Sequence, residues 1–217
     1  MPGQIVLDPR DRTTTGRWIP PGPIPPSLRQ FGQFPNTHAW HPGDLLLFSA
    51  LIPSRMSRAI IRGQERGGYA PEDARWHHAA VYLGDGITIC EASIGGVHCV
   101  PVYRYVETHL LRIRRDETLS PDKRWLIAMN ALTRLGSRYA LERIFSLARQ
   151  ARQGYWRRGN TLPLLGMRAV ICSELCNDSY SLVTGRLLVA AASGTVKPSD
   201  LSMTPQLVDV ETSWLRI

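Results

Sequence analysis

The dipeptide Asp85-Gly86 separates two runs of β-forming residues, His77-His78-Ala79-Ala80-Val81-Tyr82-Leu83 and Ile87-Thr88-Ile89-Cys90-Glu91-Ala92. Asp-Gly between such runs is the strongest short-range hairpin signal, because the favoured tight turn needs positive φ at its centre. A count then sets the register. With Asp85 and Gly86 as the loop, Gly84 faces Ile87, Ala80 faces Glu91 and His78 faces Ser93. Side chains alternate along a strand, so His78, Ala80 and Glu91 share a face and Glu91 stands one diagonal step from His78. Diagonal neighbours are about 7–8 Å apart at the backbone, within reach of a long carboxylate for an imidazole. The hairpin thus supplies a candidate general base, His78, and a residue to orient it, Glu91, with Ser93 as a second orienter. His77 falls on the opposite face as an exposed or packing residue.

A base needs a nucleophile. Ala169-Val170-Ile171 is an apolar, β-like run that turns into a helix at Cys172: Cys172, Leu175, Cys176, Tyr180 and Val183 recur at helical spacing, and Gly185 follows as a stop. Cys172 sits in the first turn, where unpaired N–H groups and the positive end of the dipole favour the thiolate that attacks carbonyls. A small buried hydrophobe is the plain alternative. The distant histidine turns the reading toward nucleophile Cys172, base His78 and orienter Glu91, with the Cys172 N–H as an oxyanion donor. A zinc site of Cys172, Cys176, His77 and His78 is disfavoured: C-x-x-x-C in a helix is not a zinc-knuckle spacing, and adjacent histidines in a strand point apart. No cofactor is expected. His98 and His109, without an acidic or cysteine companion nearby in sequence, read as surface or core residues.

These residues resemble the circularly permuted branch of the NlpC-type papain-like cysteine hydrolases, in which histidine, glutamate on the next strand and cysteine at a helix start follow in that order. The matching segments are Gly43-Asp44-Leu45-Leu46-Leu47-Phe48, His78 to Gly84, Glu91-Ala92, Gly136-Ser137-Arg138-Tyr139 and Cys172-Ser173-Glu174-Leu175. The paired histidines and a long insert between Tyr139 and Cys172 depart from the usual pattern. The resemblance implies an α+β, papain-like permuted fold: a small antiparallel sheet of about five strands packed against helices, with the nucleophile at a helix N-terminus. It implies amidase or peptidase chemistry, often on cell-wall peptides such as peptidoglycan, and a substrate contact for Tyr139. Members of this superfamily also act as lipid acyl hydrolases or acyltransferases, and a catalytically silent binding module is a further alternative.

Around this core the chain divides into a proline-rich extension, residues 1–37, and a hydrolase domain, residues 38–217. The run Trp18-Ile19-Pro20-Pro21-Gly22-Pro23-Ile24-Pro25-Pro26 cannot form a helix or an inner strand, so a disordered leader or an extended wrap is expected, with docking to an inhibitor or secretion partner as its functional reading. Leu45 to Phe48, Gly96 to Val102 and His109 to Arg114 add strands to the hairpin, and Pro101 suggests an edge. Residues 53–75, with Arg55, Arg58, Arg62 and Arg66, read as a short helix and a long loop. Ser120-Pro121 opens a helix whose apolar face is Trp125, Ile127, Ala128, Ala131, Leu132 and Leu135, ending at Gly136. Residues 140–153 continue as a second helix, and Thr195 to Pro205 as a tail packed across the sheet.

The net charge of +8 admits an anionic neighbour, such as a cell envelope or a membrane surface met by the basic aromatic stretch 149–158. Nucleic acid is not expected, since no aromatic-interleaved basic motif appears. Four cysteines are too few for a disulfide framework in a chain of 217 residues, although Cys90 and Cys99 could pair. Neither a signal peptide nor an apolar run long enough to span a bilayer is visible, so cytoplasmic synthesis is expected, with any secretion by a signal-independent route.

Overall fold

The hairpin forms with the counted register: Ala80 faces Glu91, Val81 faces Cys90 and Tyr82 faces Ile89. The computed structural model describes residues 4–20, 22–137, 171–189 and 196–217. Their strands are β1 (Thr14–Arg17), β2 (Gln33–Pro35), β3 (Leu45–Ala50), β4 (His78–Tyr82), β5 (Thr88–Ser93), β6 (Gly96–Pro101), β7 (His109–Arg115), β8 (Val208–Asp209) and β9 (Trp214–Arg216). Their helices are α1 (Pro26–Phe31), α2 (Arg55–Arg66), α3 (Pro71–Ala74), α4 (Tyr103–Val106), α5 (Pro121–Leu132), α6 (Cys172–Thr184) and α7 (Pro198–Met203). The fold is mixed α+β, as expected.

The main sheet has six strands in the order β6-β5-β4-β3-β7-β8, each antiparallel to its neighbours. Five are those read from the sequence, and β6, which carries Pro101, is the edge. The sixth, β8, is two residues long and shows no alternation, so nothing local announces it. Ion pairing fixes it there: Arg112 grips Asp209 through Nε and Nη2 (2.7 and 3.1 Å), and Arg114 Nη1 donates to the same carboxylate (3.0 Å). Arg112 also donates to Ser202 Oγ and Arg114 to the Thr204 carbonyl, which seats the described part of the tail, now the helix α7, beside β7. Part of the chain's positive charge is therefore internal.

Both faces of this sheet are covered. Leu45, Leu47, Ala79, Val81, Cys90 and Ala92 pack with Ile127 and Ala131 of α5 and Leu175 and Cys176 of α6. Leu46, Phe48, Ala80, Tyr82, Ile89, Leu111 and Ile113 pack with Trp18, Leu28, Phe31, Phe34, Trp214 and Leu215. Burial on two sides explains why β3 reads as a continuous apolar run. It also gives the described part of the N-terminal segment its form, a wrap of short strands and the helix α1 packed on the sheet. β9 lies between β1, to which it is parallel, and β2, to which it is antiparallel, in a separate three-stranded sheet. Trp18 stacks on Phe34 with ring centroids 4.1 Å apart, and Pro25 and Pro26 stand at the N-cap and first turn of α1. Residues on either side of position 37 share one core.

Two helical expectations change in detail. Residues 53–75 hold two helices: α2, capped by the Ser54 hydroxyl accepting from the Ser57 N–H (3.1 Å), and the short α3. In α5 the Ser120 cap and first-turn Pro121 are present, but Trp125 is half exposed and only Ile127, Ala128 and Ala131 are buried. α6 begins at Cys172 and stops at Gly185, whose φ of 68° is the left-handed cap that glycine favours. The expected helix 140–153 and the stretch 149–158 lie outside the described residues. No described helix is long and apolar enough to cross a membrane.

Candidate active site

His78 opens β4 opposite Phe48 of β3, and its Nε2 meets Glu91 Oε2 at 2.8 Å. The diagonal reach counted from the hairpin is thus closed by a direct hydrogen bond. Cys172, first residue of α6, lies close enough to the same imidazole to favour its charged form. With Nε2 turned to Glu91, Nδ1 is the nitrogen left to serve Cys172. The three residues come from the two cores: Cys172 from the α5/α6 side, His78 against the rings of Phe48 and Tyr105 at 5.6 and 5.8 Å.

Burial opposes charge on His78, but the hydrogen bonds and charges of Cys172 and Glu91 overcome it and push the imidazole up to about 10. Glu91 is fully buried. Burial again opposes ionisation, yet the His78 hydrogen bond and charge, the Tyr105 hydroxyl and the His98 charge together hold the carboxyl below its ordinary range. Tyr105 Oη donates to Glu91 Oε2 at 2.6 Å, and His98 Nε2 lies 3.2 Å from Oε1 and 3.2 Å from Ser93 Oγ. An ionised carboxylate only accepts, so both imidazoles present N–H groups to it. Burial and the neighbouring carboxylate push the Tyr105 phenol upward in turn.

Ser93, the alternative orienter, touches His98 and not His78. His98, expected to lack an acidic companion, stands directly across from Glu91 in the β5–β6 ladder. His109 is also nearer to the site than expected: its ring meets Tyr105 edge-on at 5.1 Å. Burial and the charge of His78 lower it to about 4. His77 is buried and structural. Its Nε2 accepts from the Ala50 N–H at 3.0 Å, and burial followed by the charges of His78 and His109 lowers it to about 3, so it stays neutral. Tyr139 lies outside the described residues.

At the head of α6, Ile171 is extended and the first intrahelical bond runs from Leu175 N–H to the Ile171 carbonyl at 2.9 Å. The N–H of Cys172 therefore precedes the helical ladder, free of an intrahelical partner. Cys176, one turn on, is buried, and burial raises its thiol far above the ordinary value. Among the described residues no group of three or more His, Cys, Asp or Glu side chains is placed to hold a metal ion. What the arrangement can do chemically is move a proton from Cys172 to an imidazole whose charged form is stabilised on its far side.

No family model matches the chain, and no curated protein matches it. Among solved structures, the chain is similar to the crystal structure of the metalloprotein yiiX from Escherichia coli O157:H7, with a TM-score of 0.57 and 16% sequence identity over 80% of this chain and 98% of that one. At that identity the likeness concerns the fold alone.

Proposed function

We propose that this chain is a papain-like cysteine hydrolase of the circularly permuted NlpC type, cleaving an amide bond through an acyl-thioester on Cys172. The observation that carries the reading is the His78–Glu91 hydrogen bond at 2.8 Å, with Cys172 at the head of α6 near enough to the same imidazole to favour its charged form. In this mechanism the thiol proton rests on His78 Nδ1 as an ion pair with Cys172, and the Cys172 thiolate attacks the carbonyl carbon. The Cys172 N–H faces the developing oxyanion, and the protonated His78 returns its proton to the leaving amine. Water then attacks the thioester with His78 as base, releasing the acid and the free thiol. Glu91 keeps the imidazole oriented and its charged form favoured throughout.

A peptide of the cell wall is the substrate class the family resemblance favours, and the net charge of +8 suits work at an anionic envelope. The neighbour is described as a metalloprotein, and among the described residues of this chain no three His, Cys, Asp or Glu side chains are placed to hold a metal ion.

The test is to incubate the full chain and its Cys172→Ala variant with peptidoglycan fragments and, separately, with phospholipid vesicles, and to read the products by mass spectrometry. Amide cleavage by the first protein alone is the expected result. Fatty-acid release in place of peptide products would move the site to lipid acyl hydrolysis. Equal products from both proteins would remove Cys172 from the chemistry.

A further inference from the structure

Cys90 and Cys99 stand directly opposite each other on β5 and β6, and the hydrogen bonds around them identify the kind of pair they form. Val97 turns its N–H to the Ser137 carbonyl and its own carbonyl to the Gly136 N–H, both at 3.0 Å, away from β5. Val102 N–H instead donates inward, to the Ile87 carbonyl at 2.8 Å. Backbone groups alternate along a strand, so Gly96, His98 and Val100 face β5, while Val97 and Cys99 face away. On β5, the Thr88 carbonyl accepts from the Leu83 N–H at 3.0 Å, which turns Thr88 and, two residues on, Cys90 toward β4. Cys90 and Cys99 are therefore a non-hydrogen-bonded antiparallel pair, the closely spaced kind, with Cα atoms about 4.5 Å apart and side chains on one face. A disulfide spans Cα separations of about 4.4–6.8 Å, so the pair can be bridged without moving the strands.

The environment suits a bridge that forms and opens. Both residues are free thiols here, Cys90 buried with its Sγ donating to the Ala131 carbonyl at 3.5 Å, and Cys99 exposed. β6 is the edge of the sheet, so one thiol is open to a reagent and the other waits behind it. Alternation also puts Cys90 on the face of β5 away from Glu91, so bridging leaves the His78–Glu91 contact in place.

We propose that Cys90 and Cys99 are a modification site, converted to a reversible cross-strand disulfide by a low-molecular-weight disulfide such as oxidised glutathione. The Cys99 sulfur attacks the reagent's S–S bond, forming a mixed disulfide and releasing one glutathione. The Cys90 sulfur then attacks Cys99 Sγ, and the second glutathione leaves. Two cysteines are oxidised, one glutathione disulfide is reduced, and the two thiol protons end on the two glutathiones. Burial holds the Cys90 thiol up at about 12 and raises Cys99 as well, so exchange begins at the exposed sulfur and quickens as pH rises.

The inference stands apart from the hydrolase reading and is tested without an activity assay. The full chain is equilibrated with oxidised and reduced glutathione, alkylated after denaturation, and cleaved after glutamate. Cleavage after Glu91 leaves Cys90 and Cys99 on separate peptides, joined only if the bridge exists. The expected results are this joined pair, a mass loss of about 2 Da, and its reversal by excess reduced glutathione. The bridged chain should melt about 5 °C higher than the reduced one. Cys99→Ser, a change at an exposed position, should abolish the joined pair and the melting shift. A stable glutathione adduct on Cys99, linkage through Cys172, or a bridged form that melts lower would each overturn the proposal.

Discussion

Two adjacent imidazoles at the start of β4 are held in opposite protonation states. His78 is kept charged by Cys172 and Glu91, and His77 is kept neutral by burial while its Nε2 accepts from Ala50. Removing a general base costs about 10²–10⁴ in rate, so His78→Ala should lose that much turnover, whereas His77→Gln should keep most of it and change stability. The sign follows from linkage. His77 titrates near its ordinary 6.5 when unfolded and near 3 when folded, so between those values the unfolded chain holds the extra proton and stability falls as pH falls. His109 acts likewise between 6.5 and about 4. His78 has the opposite sign, adding stability that is complete below 6.5 and lost as pH rises toward 10. Urea unfolding across pH 4–7 should show a shallower acid limb for His77→Gln than for the parent. An unchanged limb together with lost turnover would exchange the roles of the two histidines.

At the scale of elements, each hairpin places a residue that a single strand read alone does not. The first was legible because Asp85-Gly86 marks the loop and the count gives Ala80 opposite Glu91. The second was legible in principle, since Ile94-Gly95 separates Ser93 from Gly96 and the same count puts His98 across from Glu91. Reading residues 96–102 only as an isolated strand hid that partner. Tyr105 could not be read at all: α4 is four residues long and its hydroxyl reaches Glu91 through tertiary packing. The helix that begins at Cys172 follows from periodicity, but periodicity gives a face and not a position, so the meeting with His78 is a product of the fold. Gly96 tests the second hairpin. Its φ is 117°, and a Cβ there would come within 2.6 Å of the Ser137 carbonyl oxygen. Gly96→Ala should cost about 1–3 kcal/mol from strain and backbone displacement. Thermal melting measures it, and an unchanged Tm would mean that the β5–β6 turn relaxes without loss.

For the whole molecule, the question is whether the proline-rich segment can be removed. Composition gives it a detached look, because its prolines cannot donate to a sheet interior and its apolar residues show no helical or strand period. Those residues are nevertheless placed singly against one sheet face: Leu7, Trp18, Leu28, Phe31 and Phe34 are all buried. Deleting residues 1–35 would strip β9 of both neighbours and open the face formed by Leu46, Phe48, Tyr82, Leu111 and Ile113. The effect reaches the site through one more contact, since Phe48 lies on that face and its ring meets Tyr105 at 4.4 Å, the residue whose hydroxyl holds Glu91. The truncated chain is therefore expected to lose cooperative thermal unfolding and to expose apolar surface to a hydrophobic dye. Trp18→Ala gives a graded version: a buried tryptophan costs about 3–5 kcal/mol, which lowers Tm by roughly 10 °C in a chain of this size. If residues 36–217 instead fold with the parent's Tm, the segment is a separable leader and the second core is self-sufficient without it.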